Sequence, residues 1–492
     1  MSIKRNFFYS SILTTANYIF PFLTYPYVSR VLGVTNIGIC NFVDSIINYF
    51  ILFSMMGIGT VGVREIARCG NKQERDKVFS SLFTLNTIST TIMVAVLVLT
   101  TYTVPKLYEH KELMLIGALK LIANYMLVEW LYKGIEDFKF ITYRTIAVKV
   151  IYVAAVFIFI REQNDYLTYY LLLALMIAVN AAVNIFYARH FVTFRLKASN
   201  VRPFVKPFLV LGVYMLLTSM YSSFNVAYLG FAADETEVGY YTTATKLYSI
   251  LLALFTAFTT VMMPRMSRLI GENDTGQFKQ MLNKSVDALF IYSVPLVLLS
   301  TIMAPQIIAV IAGNGYEGAI LPMRIVMPLM LVIGYEQILV IQTLMPLKKD
   351  RAILINSIIG ASIGLLMNIL LVVHFKSIGT SIVWVCSEIS VLCSAQYFVT
   401  KYIGIKIPFL RFFKEFLYNL PLVALLCCLY LLNIGNAFIL LALAYFITAT
   451  YSFILQVCIL KNEIAVNLIH KAIGKNTTLK NFLTIKFKHR HV

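Results

Sequence analysis

Charge is what this chain of 492 residues has least of. Asp, Glu, Lys and Arg make up 13% of it, about half of the roughly 25% usual in a soluble domain, which excludes an ordinary water-exposed fold. The seven cysteines (Cys40, Cys69, Cys386, Cys393, Cys427, Cys428 and Cys458) lie scattered in mostly apolar surroundings with no CxxC or Cys/His ligand spacing. Neither a disulfide-stapled nor a zinc-binding module fits that pattern, and no metal or cofactor is expected. Of six histidines only His374 touches an apolar run, at its end, so a His/Asp constellation for acid–base chemistry is missing. No GxxxxGKS or GxxxxGKT sequence occurs, which excludes a P-loop and ATP as the driver. Gly313, Gly315 and Gly318 match dinucleotide-turn spacing, but they sit between two apolar runs with no strand before them, and such a turn cannot form a nucleotide crevice.

What is there is apolar: 59% of the residues, with a mean hydropathy of +0.78. Apolar runs occupy 7–30, 38–63, 78–104, 113–132, 140–160, 166–188, 208–230, 239–264, 286–312, 318–345, 352–374, 377–400, 412–433 and 436–460. At about 20 residues per crossing, these predict an all-α integral membrane protein with about 14 transmembrane helices. Helices are required because each bonds its own backbone groups in lipid, and alternating barrel strands are absent. The N-terminal run continues past Pro21 to Val31 without a small-x-small cleavage site, and reads as a permanent span rather than a signal peptide.

Lys and Arg number 42 against 23 Asp and Glu, a net charge of +19. In a soluble protein that excess would suggest nucleic acid; here its loop-by-loop distribution gives it another meaning, and no nucleic-acid partner is expected. Sorted by loop, 32 basic residues fall on the side of the N-terminus and 5 on the other. Such asymmetry predicts both termini in the cytoplasm and an even number of spans. In the basic tail, Ile464, Leu468, Ile469 and Ile473 share one helical face among lysines, as an interfacial helix on anionic membrane lipid would; a solvated basic tail is the alternative.

A faint internal copy runs at an offset of 201 to 208. Ile37-Gly38 returns as Val238-Gly239, Arg64 and Arg68 as Arg265 and Arg268, Leu107-Tyr108-Glu109 as Gly315-Tyr316-Glu317, and Lys120 as Arg324. Duplicated bundles with a site between them are common in transporters. The organisation predicted is a lobe of six spans over 1–190, a cytoplasmic linker over 191–207, a second six-span lobe over 208–400, two further spans over 401–460 and a tail over 461–492. Arg64, Arg68, Arg265 and Arg268, closing equivalent spans, are candidates for a cytoplasmic gate.

An ionisable group inside a span costs about 2.5 to 3.5 kcal/mol, so it faces a cavity or a partner. Arg30, Asp44, Lys120, Lys246 and Arg324 fall in the outer third of their expected spans. Four cations around one cleft suit a polyanion such as a diphosphate; snorkelling to the interface is the alternative, above all for Arg30 and Arg324. Glu336 and Glu388, near mid-span, are candidates to exchange a coupling ion, H⁺ or Na⁺, or else to pair with a buried base. Glu129, Arg144, Lys149 and Asp287 lie nearer the cytoplasmic ends and read as interfacial or structural. Pro21, Pro26, Pro295, Pro305, Pro322 and Pro328 are candidate hinges.

Three segments carry a resemblance. Tyr25-Pro26-Tyr27-Val28-Ser29-Arg30-Val31-Leu32-Gly33 followed by Ile37-Gly38 resembles the first-span signature of bacterial polysaccharide repeat-unit flippases, of O-antigen and teichuronic type. These belong to the multidrug/oligosaccharidyl-lipid/polysaccharide exporter superfamily. Gly57-x-Gly59-Thr60-x-Gly62-x-Arg64-Glu65-Ile66-Ala67-Arg68 is similar to the same family's cytoplasmic signature, and Gly313-x-Gly315-Tyr316-Glu317-Gly318-Ala319 to its turn before the tenth span. The resemblance covers roughly residues 1 to 460. It implies two six-helix lobes around a central cavity in the bacterial plasma membrane, alternating access, and undecaprenyl-diphosphate-linked oligosaccharide as cargo. It also implies a glycan polymerase and chain-length machinery as partners, Arg30 at the position of a cavity arginine, and two extra spans of the kind that help form a lipid-tail groove. A cation-coupled drug exporter of the same superfamily would prefer a carboxylate-rich cavity. A membrane-embedded glycan polymerase or acyltransferase would need larger loops than this chain has.

Overall fold

The computed structural model describes residues 3–194, 200–432 and 435–462. Ile464, Leu468, Ile469 and Ile473, expected on an interfacial helix, lie outside the described residues. Among those described, every regular element is a helix. The first ten are α1 (Ile3–Met55), α2 (Ile58–Arg68), α3 (Lys72–Thr103), α4 (Pro105–Tyr108), α5 (Lys111–Met126), α6 (Glu129–Gly134), α7 (Phe138–Phe159), α8 (Tyr166–Ala188), α9 (Arg202–Ser222) and α10 (Phe224–Ala232). There follow α11 (Glu235–Gly271), α12 (Thr275–Ile302), α13 (Ala304–Ile311), α14 (Ile320–Val326), α15 (Leu329–Leu339), α16 (Asp350–Ile403), α17 (Phe409–Leu431) and α18 (Ala437–Phe453). The ends follow local chemistry: Asn71 accepts from the Glu74 backbone N–H at 2.9 Å while the Glu74 carboxylate accepts from Gly70 N–H, a reciprocal cap at the start of α3.

Eleven helical segments among the described residues are long and apolar enough to cross a membrane, or twelve if the bent pair within α17 makes one crossing. The chain is a multi-pass membrane protein. Fourteen crossings were expected; two of these segments each hold a pair of the expected spans, joined end to end across a break in the helical backbone. At about 1.5 Å per residue, helices of 53 and 54 residues far exceed a hydrocarbon core of about 30 Å. Each is interrupted inside, α1 at Gly33 (φ 76°) and α16 at Lys376 (φ 47°). Both breaks fall where the sequence places a turn.

The helices form two compact units, between which α11, α13 and α16 are each divided. The first takes in Met1–Ala253, Ile308–Val326 and Leu354–Ser394. Apolar residues on helices have no hydrophobic preference for one another over lipid, so close packing and polar contacts must hold them together. One core of this unit gathers Ile58, Val61, Phe79, Leu82, Trp130 and Ile141; beside it Glu129 binds Arg144 at 3.1 Å and Lys133 at 3.2 Å, in keeping with the structural reading of that acid and arginine. A second core joins Tyr25, Val28 and Leu32 to Tyr152, Val156 and Ile160. The second unit takes in Leu254–Ile307, Met327–Ile353 and Ala395–Val492. Its core packs Leu299 and Met303 against Leu422, Leu426, Leu440 and Ala444. An apolar groove of about 420 Å³ opens between α12 and α18, lined by Tyr292, Pro295 and Leu299 on one side and Tyr445 and Ala449 on the other.

Within the first unit the second half of α1 crosses the start of α11 at two glycines. A Cβ on Gly38 would lie 1.7 Å from the Glu235 carbonyl oxygen, and a Cβ on Gly239 would lie 2.3 Å from the Val34 carbonyl oxygen. Thr35 and Thr236 share a hydrogen bond of 2.9 Å, and Asn41 donates to Thr242 at 3.0 Å. Residue and partner in Thr35–Thr236 and Asn41–Thr242 are both 201 apart, as are Gly38 and Gly239. Contacts in which each copy presents the same residues to the other mark a local two-fold axis. The spacing seen faintly in the sequence is thus the spacing of residues that meet.

Candidate functional site

Below that crossing, α1 and α11 each carry one ionisable group into the first unit's interior, Asp44 and Lys246. Asp44 on α1 forms an ion pair with Lys120 of α5. Lys120 also donates to Asn48 Oδ1 at 3.2 Å, Asn48 Nδ2 donates to Asp44 Oδ2 at 3.1 Å, and the Tyr170 hydroxyl of α8 donates to Asp44 Oδ1 at 3.3 Å. The carboxylate is therefore held by a cation, an amide and a phenol from three directions. Lys246, on α11, sits instead over the ring of Tyr25, 4.3 Å from its centroid, and that ring is fixed by a 2.6 Å hydrogen bond from its hydroxyl to Thr243. Such cation–π seats hold an ammonium without neutralising it.

Two chambers adjoin these residues. One of about 370 Å³ is walled by aromatic and apolar side chains, among them Phe20, Pro21, Tyr25, Tyr152 and Leu173. The other, of about 700 Å³, is walled largely by hydroxyls, amides and phenols: Ser45, Asn48, Tyr49, Tyr214, Thr218 and Ser219. Asn41, Asp44, Thr245 and Lys246 line both. They form a polar belt between an apolar-aromatic chamber and a hydroxyl-rich one, with one carboxylate paired to Lys120 and one ammonium that rests on a ring face within the field of that carboxylate.

Of the five cavity residues predicted from sequence, Asp44 and Lys246 line both chambers, Lys120 stands behind them as the ion-pair partner of Asp44, and Arg30 and Arg324, like Lys120, line neither. The Arg30 guanidinium donates to the Val310 carbonyl at the C-terminal end of α13, where unsatisfied carbonyls favour a cation. Its stem packs on Gly313, where φ is 91° and any added Cβ would lie 2.9 Å from Arg30 Cγ, so that backbone and space both require glycine. Neighbouring contacts tighten the same place: Ser29 to the Ile311 carbonyl at 3.3 Å and the Tyr316 hydroxyl to the Ser29 carbonyl at 3.1 Å. Arg324 is half-buried in α14. Glu388 is buried on α16, accepting from Trp384 Nε1 at 2.9 Å, and Trp384 meets Tyr248 of α11 edge-on with ring centroids 5.0 Å apart. Glu336 is half-buried on α15, in the second unit. Arg64 and Arg68 are exposed and pair with Glu65 at 2.8 and 3.5 Å; Arg268 pairs with Glu272 at 3.7 Å, and Arg265 is exposed.

Sequence reasoning missed Lys149. It is the twelfth residue of a 22-residue helix, hence central rather than near an end, and it lines the apolar-aromatic chamber. The depth was readable already, since the expected span 140–160 also places Lys149 at its centre. At the far end of the crossing, Glu235 accepts from both Lys106 and His110, so this carboxylate is an ion-pair node tying α4 to α11. Asp234 binds Lys376 at 3.1 Å. Partial burial works against the Asp234 charge, but the Glu237 backbone N–H and Lys376 outweigh it and hold the carboxyl below its ordinary range. The pair stays charged until pH falls below that range.

Comparison with known proteins gives a consistent result. A family model described as "Polysaccharide biosynthesis protein" matches residues 3–270. A protein of Escherichia coli (strain K12) named "Putative O-antigen transporter" is 24% identical over 403 residues, covering 81% of this chain and 97% of that protein. Among solved structures, one titled "Lipid II flippase MurJ, inward closed conformation" superposes with a TM-score of 0.75 at 14% identity, covering 91% of this chain and 98% of the other. A MATE crystal structure in complex with MaD3S superposes with a TM-score of 0.51 at 16% identity, covering 78% and 92%. The two structural likenesses establish a shared helical fold.

Proposed function

The chain belongs to the polysaccharide biosynthesis protein family, and from that premise we propose that it is a flippase, a transporter rather than an enzyme. Its cargo is a polyprenyl-diphosphate-linked oligosaccharide, carried from the cytoplasmic to the outer leaflet of the bacterial plasma membrane for surface polysaccharide. The observation that carries this reading is the belt shared by two unlike chambers. A lipid-linked sugar has three chemically distinct parts: an apolar tail, an anionic diphosphate and a hydroxyl-rich glycan. Lys246 is an ammonium without an ion-pair partner among the described residues, suited to the diphosphate. The hydroxyls, amides and phenols of the larger chamber suit sugar hydroxyls and sugar faces. The names of the E. coli relative and of the lipid II flippase point the same way.

In this reading the two lobes, 1–190 and 208–400, rock so that the contact at Gly38 and Gly239 separates when the outer side opens. Arg30 and the Glu235 node close the outer side, and the exposed arginines Arg64, Arg68, Arg265 and Arg268 work at the cytoplasmic ends. A cation gradient, H⁺ or Na⁺, supplies direction through a buried carboxylate. The deciding experiment is mass analysis of lipid-linked intermediates, with leaflet accessibility, in a strain lacking this gene. Single repeat units should accumulate facing the cytoplasm. Exported but unpolymerised units would instead make the protein a polymerase and defeat the proposal.

A further inference from the structure

We propose that Lys149 and Lys246 together form the seat for the diphosphate, on the side of the belt that faces the apolar-aromatic chamber, with Asp44 and Lys120 as a neutral wall beside it. The inference rests on the flippase reading and adds to it a residue, a stoichiometry of charge and a side of the belt.

The cations of the first unit's interior differ in how they are paired. Lys120 has Asp44, Arg144 and Lys133 share Glu129, and Lys106 has Glu235. Lys149 has a neutral partner instead: its ammonium donates to Asn17 Oδ1 at 2.6 Å and lies 5.9 Å from the Phe20 ring centroid. Among the described residues no carboxylate forms an ion pair with it; Lys246 has none in ion-pair contact either, Asp44 acting on it only from a greater distance. Both line the 370 Å³ chamber, and the one carboxylate in that wall, Asp44, is already committed to Lys120. The chamber wall therefore carries two cations in excess, on α7 and α11. A lone ammonium inside a span is costly to insert, and two in one apolar-aromatic pocket are best explained by a ligand bearing two adjacent negative groups. A diphosphate has that form, with charge on two linked phosphorus centres, whereas a monophosphate gathers its charge at one centre and spans two separated lysines less well. Phe20, Pro21 and Leu173 beside the lysines suit the first prenyl units that follow the diphosphate. The hydroxyl-rich chamber beyond the belt is left for the glycan.

The test uses the full-length protein in nanodiscs with farnesyl diphosphate and farnesyl monophosphate as probes, binding being read by native mass spectrometry. The wild type should prefer the diphosphate. Lys149→Gln and Lys246→Gln should each lower diphosphate affinity roughly tenfold and lose the preference. Lys149→Arg should keep it, and Lys139→Gln, a surface change on the same helix, should leave it unaltered. In parallel, amine-reactive labelling of the wild type should show Lys149 protected by the diphosphate, a readout that does not depend on how any variant folds. If Lys149→Gln keeps the preference, or Lys149 labels equally with and without probe, while Lys246→Gln loses binding, the two-lysine seat is wrong and the flippase reading stands. If the wild type binds neither probe better than a neutral prenyl alcohol, that reading falls with it.

Discussion

Asp44 and Lys120 are each half of a partly buried pair, with side chains 30% and 11% exposed. Removing one leaves the other charge facing a low-dielectric interior, whereas removing both removes the problem. Asp44→Asn or Lys120→Met alone should therefore destabilise the protein by about 1–3 kcal/mol, seen as a lower Tm in detergent, and the double variant should recover most of that loss. Equal and additive losses would show that the two groups do not act as a pair. Much of this was legible in the sequence: an acid and a base at similar depth, in spans too apolar to hold them alone, already implied mutual or ligand contact. What the sequence could not decide was which cation takes the acid. Matching depth on equivalent spans sets Lys246 opposite Asp44, but helix packing hands Asp44 to Lys120 and a tyrosine ring to Lys246. Arg30 shows the same limit from the other side, since its carbonyl partner lies 280 residues away.

At the scale of elements, the crossing of α1 and α11 is the place where close approach is demanded. A methyl group on Gly38 would need a backbone carbonyl to move, a cost of about 1–3 kcal/mol for overpacking and, more to the point, a separation of the two helices. With Thr35→Cys and Thr236→Cys introduced together, a disulfide should form readily and stop export until reduced. Adding Gly38→Ala should sharply reduce that cross-link and also impair export. A cross-link formed as well with alanine as with glycine would show that the crossing is not a tight contact. The helices themselves were largely readable from apolar length, and the expected turns at 31–37 and 375–376 coincide with the breaks at Gly33 and Lys376. That each turn narrows to a break at one residue, with helix on both sides, was not readable, because a one-residue change of φ leaves the apolar pattern on both sides intact. The left-handed Val128 (φ 39°) that divides α5 from α6 was hidden for the same reason: valine carries no turn signal.

For the molecule as a whole, a site that binds cargo equally from both sides only equilibrates the two leaflets; net export requires a second ligand whose gradient biases the cycle. Glu388 is the candidate in the first unit, buried on α16 and linked through Trp384 to Tyr248, two residues along α11 from Lys246. Glutamine keeps its shape and its bond from Trp384 while removing the exchangeable charge. Glu388→Gln should therefore still bind and flip lipid-linked oligosaccharide in proteoliposomes, but it should stop at equal amounts in the two leaflets whatever ion gradient is imposed. The wild type should exceed equality, and with one proton per cycle by up to about tenfold per pH unit. Imposing H⁺ and Na⁺ gradients separately identifies the ion, since only one should lift the wild-type ratio. The same measurement on Glu336→Gln divides the two carboxylates: if it abolishes the gradient response while Glu388→Gln keeps it, the coupling residue belongs to the second unit. If both variants keep the full response, neither carboxylate carries the coupling, and the exchangeable charge must be sought at the belt, where Asp44 is the remaining acid.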